Sequence, residues 1–166
     1  MKAFATRVFL VLVLFGVWIL LTLPVNNEEL LVGAVVALVA GLVTPREGIR
    51  VLSGIRFTPK ALVFAIAYIF VFLKELVMAN FDVALRVIKP TLPINPGIVR
   101  VKTKLKSPIG RLLLANSITL TPGTITVETD GEDFYIHWIY VSADNPEEAT
   151  RKIVSGFERY LEVICG

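Results

Sequence analysis

The sequence has 166 residues, of which 55% are hydrophobic and 19% are charged, and its mean hydropathy is +0.71. Charged residues make up about 25% of an ordinary soluble domain, so this composition excludes such a domain and indicates a membrane protein. The net charge of +3 therefore concerns orientation and lipid head groups, and we expect no nucleic-acid partner. A single cysteine excludes an internal disulfide and a cysteine-rich metal site.

Two short apolar runs come first, at 8–23 and 30–43, with an acidic link between them. At 1.5 Å per residue they cover roughly 24 and 21 Å, less than the roughly 30 Å of bilayer hydrocarbon. Basic residues before the first run also suit a secretory signal peptide, but no small-residue cleavage site follows. We therefore expect an uncleaved helical hairpin, which spans fully only if flanking residues or a locally thin bilayer make up the difference.

Small residues recur at every fourth position of the second run, at Gly33, Ala37 and Gly41. This spacing lets two helix backbones approach closely, so it predicts a face that packs against the first helix or against a partner. Glycine and alanine are also frequent in membrane helices without any such role.

The third apolar run is longer, and Thr58-Pro59 before it is a helix-start signal. An uninterrupted stretch at 61–73 is followed by Lys74 and Glu75 and then by more apolar residues, which together give roughly 21 residues, enough to cross. Charges inside a span are candidates for an ion pathway. The alternative places both near the membrane surface, with Lys74 extended toward water. Because adjacent helix positions lie about 100° apart, we do not expect the two to pair.

A proline-rich segment at 90–97 predicts a linker, so we divide the chain into a membrane domain at 1–89, the linker, and an α/β domain at 98–166. Alternation at 98–105 predicts a strand with one basic face, and Ser107-Pro108 starts a helix. A turn at 121–124, two further strands at about 124–129 and 134–142, and a helix from 146 to 164 complete the pattern. This β-α-β-β-α order predicts most of a ferredoxin-like unit.

No residue pattern indicates catalysis. His137 is the single histidine, which excludes a two-histidine metal site, and the chain has no glycine-rich phosphate loop. We therefore expect no catalytic, cofactor or metal site and interpret His137 as structural. Basic residues divide almost evenly between the two sides that three crossings would create, so the positive-inside rule leaves the orientation open.

One stretch resembles a known family. The nine residues of the helix end and turn are Asn116, Ser117, Ile118, Thr119, Leu120, Thr121, Pro122, Gly123 and Thr124, and a strand containing His137-Trp138 follows. This pattern is similar to the E-type subunit of the multisubunit Na+/H+ antiporters, the Mrp family, and the nine-residue run matches in full. The order of short hydrophobic helices, a longer third helix and an α/β domain also resembles that family over essentially the whole chain.

The resemblance implies a non-catalytic accessory subunit of a hetero-oligomeric antiporter in the cell membrane. Its expected partners are the small F-type and G-type subunits and the larger antiporter-like subunits that carry the ions. It also implies a multi-pass chain with a cytoplasmic C-terminal domain and no cofactor. Related subunits occur in archaeal membrane-bound hydrogenases and similar respiratory complexes, so two contexts stand open.

The residues also permit a different class of function. A stand-alone, membrane-anchored binding or regulatory domain would use the basic face of the strand at 98–105 to recruit an acidic partner or anionic lipid. Purification in mild detergent distinguishes the two, because only an accessory subunit should bring several hydrophobic proteins with it.

Overall fold

The computed structural model describes residues 2–52 and 54–166, and of Lys2, Ala3, Arg46 and Arg50 it describes the backbone only. Met1 and Ser53, which fall within the predicted membrane domain 1–89, lie outside the described residues. The chain divides into two compact units, residues 1–53 and 54–166. The linker predicted at 90–97 separates a membrane domain from a water-exposed domain. The two compact units are defined by contacts within the chain, so the predicted domain boundaries remain a prediction.

Over its described part, residues 2–52, the first unit contains three helices, α1 (Lys2–Leu21), α2 (Asn27–Val43) and α3 (Arg46–Leu52). Asn26 starts α2 with a capping box, in which its side chain accepts from the Glu29 backbone while the Glu29 carboxylate accepts from the Asn26 backbone. The acidic link between the two apolar runs is therefore a helix start. The short α3 was not predicted, because its sequence has no apolar periodicity long enough to read.

Hydrogen bonds join α1 to α2 near both ends of the hairpin. Trp18 donates its indole N–H to the Glu29 carbonyl at 3.0 Å. Arg7 donates to the carbonyls of Leu42 and Thr44 at 3.4 and 3.3 Å, where α2 ends. A cation suits that end of a helix, because the final carbonyls have no partner within it.

The second unit contains α4 (Pro59–Ile88), β1 (Gly97–Lys102), α5 (Pro108–Leu120), β2 (Thr124–Asp130), β3 (Asp133–Trp138), α6 (Pro146–Ile153) and α7 (Ser155–Cys165). Three helices begin where the sequence predicted them. Thr58, Ser107 and Asn145 each accept a backbone N–H at the start of α4, α5 and α6, and proline follows each cap.

The three strands form one antiparallel sheet in the order β1-β3-β2. The predicted third strand is shorter than expected and ends at Trp138, after which Ile139 donates to the Gly123 carbonyl at 2.8 Å. The C-terminal helix predicted as one element is broken at Val154 into α6 and α7. Val154 is fully buried there, so packing of two helix faces explains the break.

The core of the second unit lies between the sheet and its helices. Its fully buried side chains are apolar residues from β1, α5, β3 and the C-terminal helices: Val101, Leu114, Ile118, Phe134, Ile136, Val154 and Leu161. α4 packs on α7 in the same unit. The segment before α4 is also fixed to α7, since the Arg56 backbone N–H donates to the Ile164 carbonyl at 2.8 Å.

Among residues 2–52 and 54–166, two helices are long and apolar enough to cross a membrane, namely α1, over Phe4–Leu21, and α4. The second run forms a helix of 17 residues, about 25 Å at 1.5 Å per residue. The fold is therefore two candidate membrane helices with a small antiparallel sheet-and-helix region at the C-terminal end.

Candidate functional site

The nine-residue stretch 116–124 forms the end of α5, the following turn and the start of β2. Gly123 occupies the turn with φ of +92°, a left-handed conformation that side chains with a Cβ rarely adopt. Asn116 and Leu120 are exposed, whereas Ser117 and Ile118 are buried. The stretch is thus a sharp helix-to-strand junction with one buried side.

The hydroxyl groups of this stretch bind the backbone. Thr121 Oγ1 donates to the Ser117 carbonyl at 2.7 Å, and Thr124 Oγ1 donates to the Ile118 carbonyl at 2.7 Å. Thr119 Oγ1 accepts the Thr126 N–H at 3.1 Å, which joins α5 to β2. The first two bonds reinforce the carbonyls of the last turn of α5, which also accept the Thr121 backbone N–H, and the third satisfies a backbone N–H of β2.

Ser117 connects the stretch to α4. Its hydroxyl donates to the Leu113 carbonyl at 2.7 Å and also forms a hydrogen bond with the hydroxyl of Tyr68. Tyr68 is the sole hydroxyl-bearing residue in the apolar run 61–73. A lone hydroxyl in an apolar helix is a local signal of a polar contact, but no local pattern indicates its partner, which lies 49 residues away in the sequence.

A cavity of about 180 Å³ lies between α4 and this junction, lined by residues that include Glu75, Asp82, Thr121, Pro122 and Lys152. The structure thus brings one of the two predicted membrane charges next to the family stretch. The Asp82 carboxylate accepts from the Arg86 guanidinium at 2.7 and 3.1 Å. The Lys152 ammonium lies 2.9 Å from the Glu148 carboxylate.

Lys74 does not line this cavity, and its side chain is 72% exposed on the surface of α4. Its ammonium reaches to 3.6 Å from the Glu75 carboxylate, so the expectation that these neighbours would not pair is wrong. The expectation considered only the angle between adjacent positions, whereas both side chains are long enough to bend toward each other. The three charges lining the cavity therefore each have a partner of opposite sign.

His137 lies apart from this cavity. It is exposed on the face of the sheet opposite the helices, in register between Ile98 of β1 and Ile125 of β2. Within residues 2–52 and 54–166, no group of three or more histidine, cysteine or carboxylate side chains is arranged to hold a metal ion.

The predicted packing residues Gly33, Ala37 and Gly41 are the buried residues of α2. A Cβ at Gly33 would overlap the Trp18 ring, and one at Gly41 would overlap the Val11 side chain. The small residues therefore face α1 of the same chain. The larger side chains of α2, Leu31, Val35, Leu38 and Leu42, remain exposed.

Burial raises the pKa of the Cys165 thiol at the end of α7, and the nearby Arg56 guanidinium partly opposes this rise. A buried thiol with a raised pKa is mostly protonated at neutral pH and reacts slowly. This cysteine is therefore a structural core residue.

Comparison with known protein families gives a match to the Na+/H+ ion antiporter subunit model over residues 11–164. The chain is 42% identical over 96 residues to the E-type subunit of the Na(+)/H(+) antiporter of Alkalihalophilus pseudofirmus, a match that covers 58% of this chain and 61% of that protein. It is 35% identical over 149 residues to the E1-type subunit of the Na(+)/H(+) antiporter of Staphylococcus aureus, with 89% of each chain covered.

A solved structure also resembles the chain. It is a chain of the membrane-bound sulfane sulfur reductase, an archaeal respiratory membrane complex. The TM-score is 0.82 with 44% identity, and the match covers 95% of this chain and 98% of that one.

Proposed function

The chain belongs to the E-type subunit family of Na+/H+ antiporters, and from that membership we propose that it is a non-catalytic accessory subunit of a cation/proton antiporter module. The observation that supports this role is that the hydroxyl groups of the stretch 116–124 are engaged in structural hydrogen bonds. Its hydroxyl groups bind carbonyls of α5, the Thr126 backbone and the Tyr68 hydroxyl, so they hold a junction together. Ion transfer needs groups that can exchange partners, and here those groups are engaged in capping.

The proposed contribution is assembly. The small residues of α2 face the larger side chains of α1, which leaves the large apolar side chains of α2 to face lipid and neighbouring subunits. We propose the small F-type and G-type subunits and the larger antiporter-like subunits as those neighbours. We also propose that the first unit crosses the membrane more than once and that the α/β region is ferredoxin-like and cytoplasmic. The β1-β3-β2 strand order supports the ferredoxin-like fold and does not bear on the side of the membrane.

Two assemblies fit this role. One is a stand-alone antiporter, as the bacterial relatives are named. The other is a respiratory membrane complex that carries an antiporter module. The structurally similar archaeal chain supports this possibility, since it belongs to a respiratory membrane complex. Genes adjacent to the one for this chain distinguish the two, because redox subunits should accompany antiporter subunits only in the second.

Affinity purification of the tagged chain from its own membranes in mild detergent tests the proposal. We expect several small hydrophobic subunits to be retained in fixed ratio. Recovery of a lone, stable monomer would contradict an accessory role and favour the stand-alone binding domain.

Glu75→Gln tests the non-catalytic part of the proposal. The substitution keeps the shape of the side chain and removes its charge beside Lys74. We expect the purified complex to retain sodium-dependent proton exchange in vesicles. Loss of exchange from a complex that assembles normally would place Glu75 on an ion path.

A further inference from the structure

The two long sides of α4 differ in chemistry. The side turned away from the α/β elements carries large exposed apolar side chains along the whole helix: Leu62, Val63, Ile66, Phe70, Leu73, Val77, Phe81 and Ile88. At 100° per residue these positions share one broad face. We call this set the outer face of α4.

The opposite side of α4 carries its aromatic contacts and most of its charges. Phe64 packs on Tyr160 with ring centroids 6.0 Å apart, and Tyr68 packs on Phe157 at 6.4 Å. Farther along, Glu75 and Asp82 line the cavity beside the family stretch. We call this side the inner face of α4.

The contacts of the inner face continue to the end of the helix. The Arg86 guanidinium lies 4.1 Å above the Tyr140 ring and donates to the Pro93 carbonyl at 2.9 Å. Near the other end, the Arg56 backbone binds the last turn of α7. A helix of 30 residues is about 45 Å long, so the α/β elements lie beside α4 over nearly all of it.

This arrangement conflicts with α4 crossing a bilayer. If the helix stood upright, the sheet and the C-terminal helices beside it would lie at the depth of the hydrocarbon. The sheet has two edge strands, β1 and β2, and the outward backbone groups of an edge strand find no hydrogen-bond partner in lipid. The charged side chains of α6 and α7, such as Lys152 and Arg159, would also be placed in hydrocarbon at high cost.

We propose that α4 lies along the membrane surface, with its outer face in the lipid and its inner face on the α/β elements. The lipid side is then the apolar outer face, interrupted by Asn80, whose amide donates to the Leu76 carbonyl at 2.7 Å, and the carboxylates of Glu75 and Asp82 lie on the water side. The inference deepens the proposed function and rests on it only in taking the chain to be a membrane subunit.

Three exposed lysines support a lipid surface as the occupant of the outer face. Lys60 lies at the start of α4, Lys74 at its middle and Lys89 at its end. An amphipathic helix in the interface places such cations along its border, where they meet anionic head groups. For an upright helix, the middle lysine would instead lie at the centre of the bilayer.

Cysteine labelling in membranes that contain the intact complex tests the proposal. In a Cys165→Ala background, Lys60→Cys and Lys89→Cys place a thiol at each end of α4, and Glu147→Cys marks the α/β elements. A membrane-impermeant maleimide is applied to vesicles of either orientation. We expect all three positions to be labelled from the same side and labelling to be lost from the other. Labelling of Lys60→Cys and Lys89→Cys from opposite sides would overturn the proposal.

A depth measurement makes the test independent of labelling efficiency. The complex is reconstituted in phosphatidylethanolamine and phosphatidylglycerol, with a fluorophore on one of three positions of the outer face, Leu62→Cys, Leu73→Cys or Ile88→Cys. We expect lipids brominated near the glycerol to quench all three equally, with Glu147→Cys unquenched as the control. Quenching by mid-chain bromine that peaks at position 73 would indicate a span. No quenching at any of the three would mean that another protein covers the face, and it would overturn the proposal too.

The two proposals fail in different ways. A complex that co-purifies but shows α4 crossing overturns the surface helix and leaves the accessory role standing. A monomer whose α4 positions are quenched near the glycerol does the reverse.

Discussion

The two candidate membrane helices of this chain, α1 and α4, are similarly apolar but use their apolar surface differently. α1 packs the side chains of Trp18 and Val11 directly on the backbone of α2, at the glycines Gly33 and Gly41. α4 packs through aromatic rings on an amphipathic α7 and keeps the carboxylates of Glu75 and Asp82 on that side. Mean hydropathy reports how apolar a helix is as a whole. The distribution of charged residues around the helix axis shows which face is apolar.

The largest expected effect separates the two faces of α4. Phe157→Ala removes a buried ring that contacts Tyr68 and Phe72, and buried Phe→Ala substitutions cost about 3–5 kcal/mol. Phe70→Ala removes an equal ring from the outer face, where the side chain is 69% exposed, and should change stability by less than about 0.5 kcal/mol. Thermal unfolding of the detergent-purified complex, followed by tryptophan fluorescence, compares them. Equal losses would mean that the outer face packs on protein.

The next effect concerns the glycine contact of α1 and α2. Leucine at Gly33 or Gly41 would overlap Trp18 or Val11, and overpacking of this kind costs about 1–3 kcal/mol per site. We expect each variant, and the double variant more strongly, to lower the fraction of complex that survives a series of increasing detergent and temperature.

Gly16→Leu is the matched control for that series. It adds the same side chain to α1 at a position where a Cβ would meet no heavy atom within 4 Å. Its complex should survive as well as the wild type, because leucine also favours a helix more than glycine does. An equal loss from Gly16→Leu would show that bulk anywhere on α1 disturbs assembly, and the specific glycine contact would be discarded.

Local signals explain which parts of this fold could be predicted. Thr58, Ser107 and Asn145 start their helices through bonds to the next turn, so a few adjacent residues contain the information. The break at Val154 and the Tyr68–Ser117 bond depend on elements distant in sequence. No local pattern specifies them, and a continuous apolar stripe predicted one helix where there are two.

The candidate site shows the same limit. The stretch 116–124 was identified by its resemblance to a family, while its local physics predicted only a helix, a turn and a strand. The cavity beside it forms because α4 packs next to the end of α5. Neither the family resemblance nor the local sequence pattern indicates this contact. Glu75 was singled out as a membrane charge, yet its nearness to Pro122 and Lys152 is a property of the fold alone.

The smallest expected effect tests whether α6, on the inner side of α4, faces water. The hydrogen bond from Lys152 and then the backbone N–H of Asp144 lower the pKa of Glu148 below its ordinary value. A lowered pKa stabilises the fold above the ordinary carboxyl pKa, and this contribution is lost as the pH falls through the lowered pKa. The difference in unfolding midpoint between wild type and Glu148→Gln should therefore be full at neutral pH, shrink in acid and also shrink in high salt. Glu147→Gln is the matched control, because it removes one carboxylate charge from the same turn of α6 without removing the Lys152 contact. A Glu148→Gln difference that salt does not change would mean that this pair is shielded from water, and the placement of α6 on the water side of α4 would have to be abandoned.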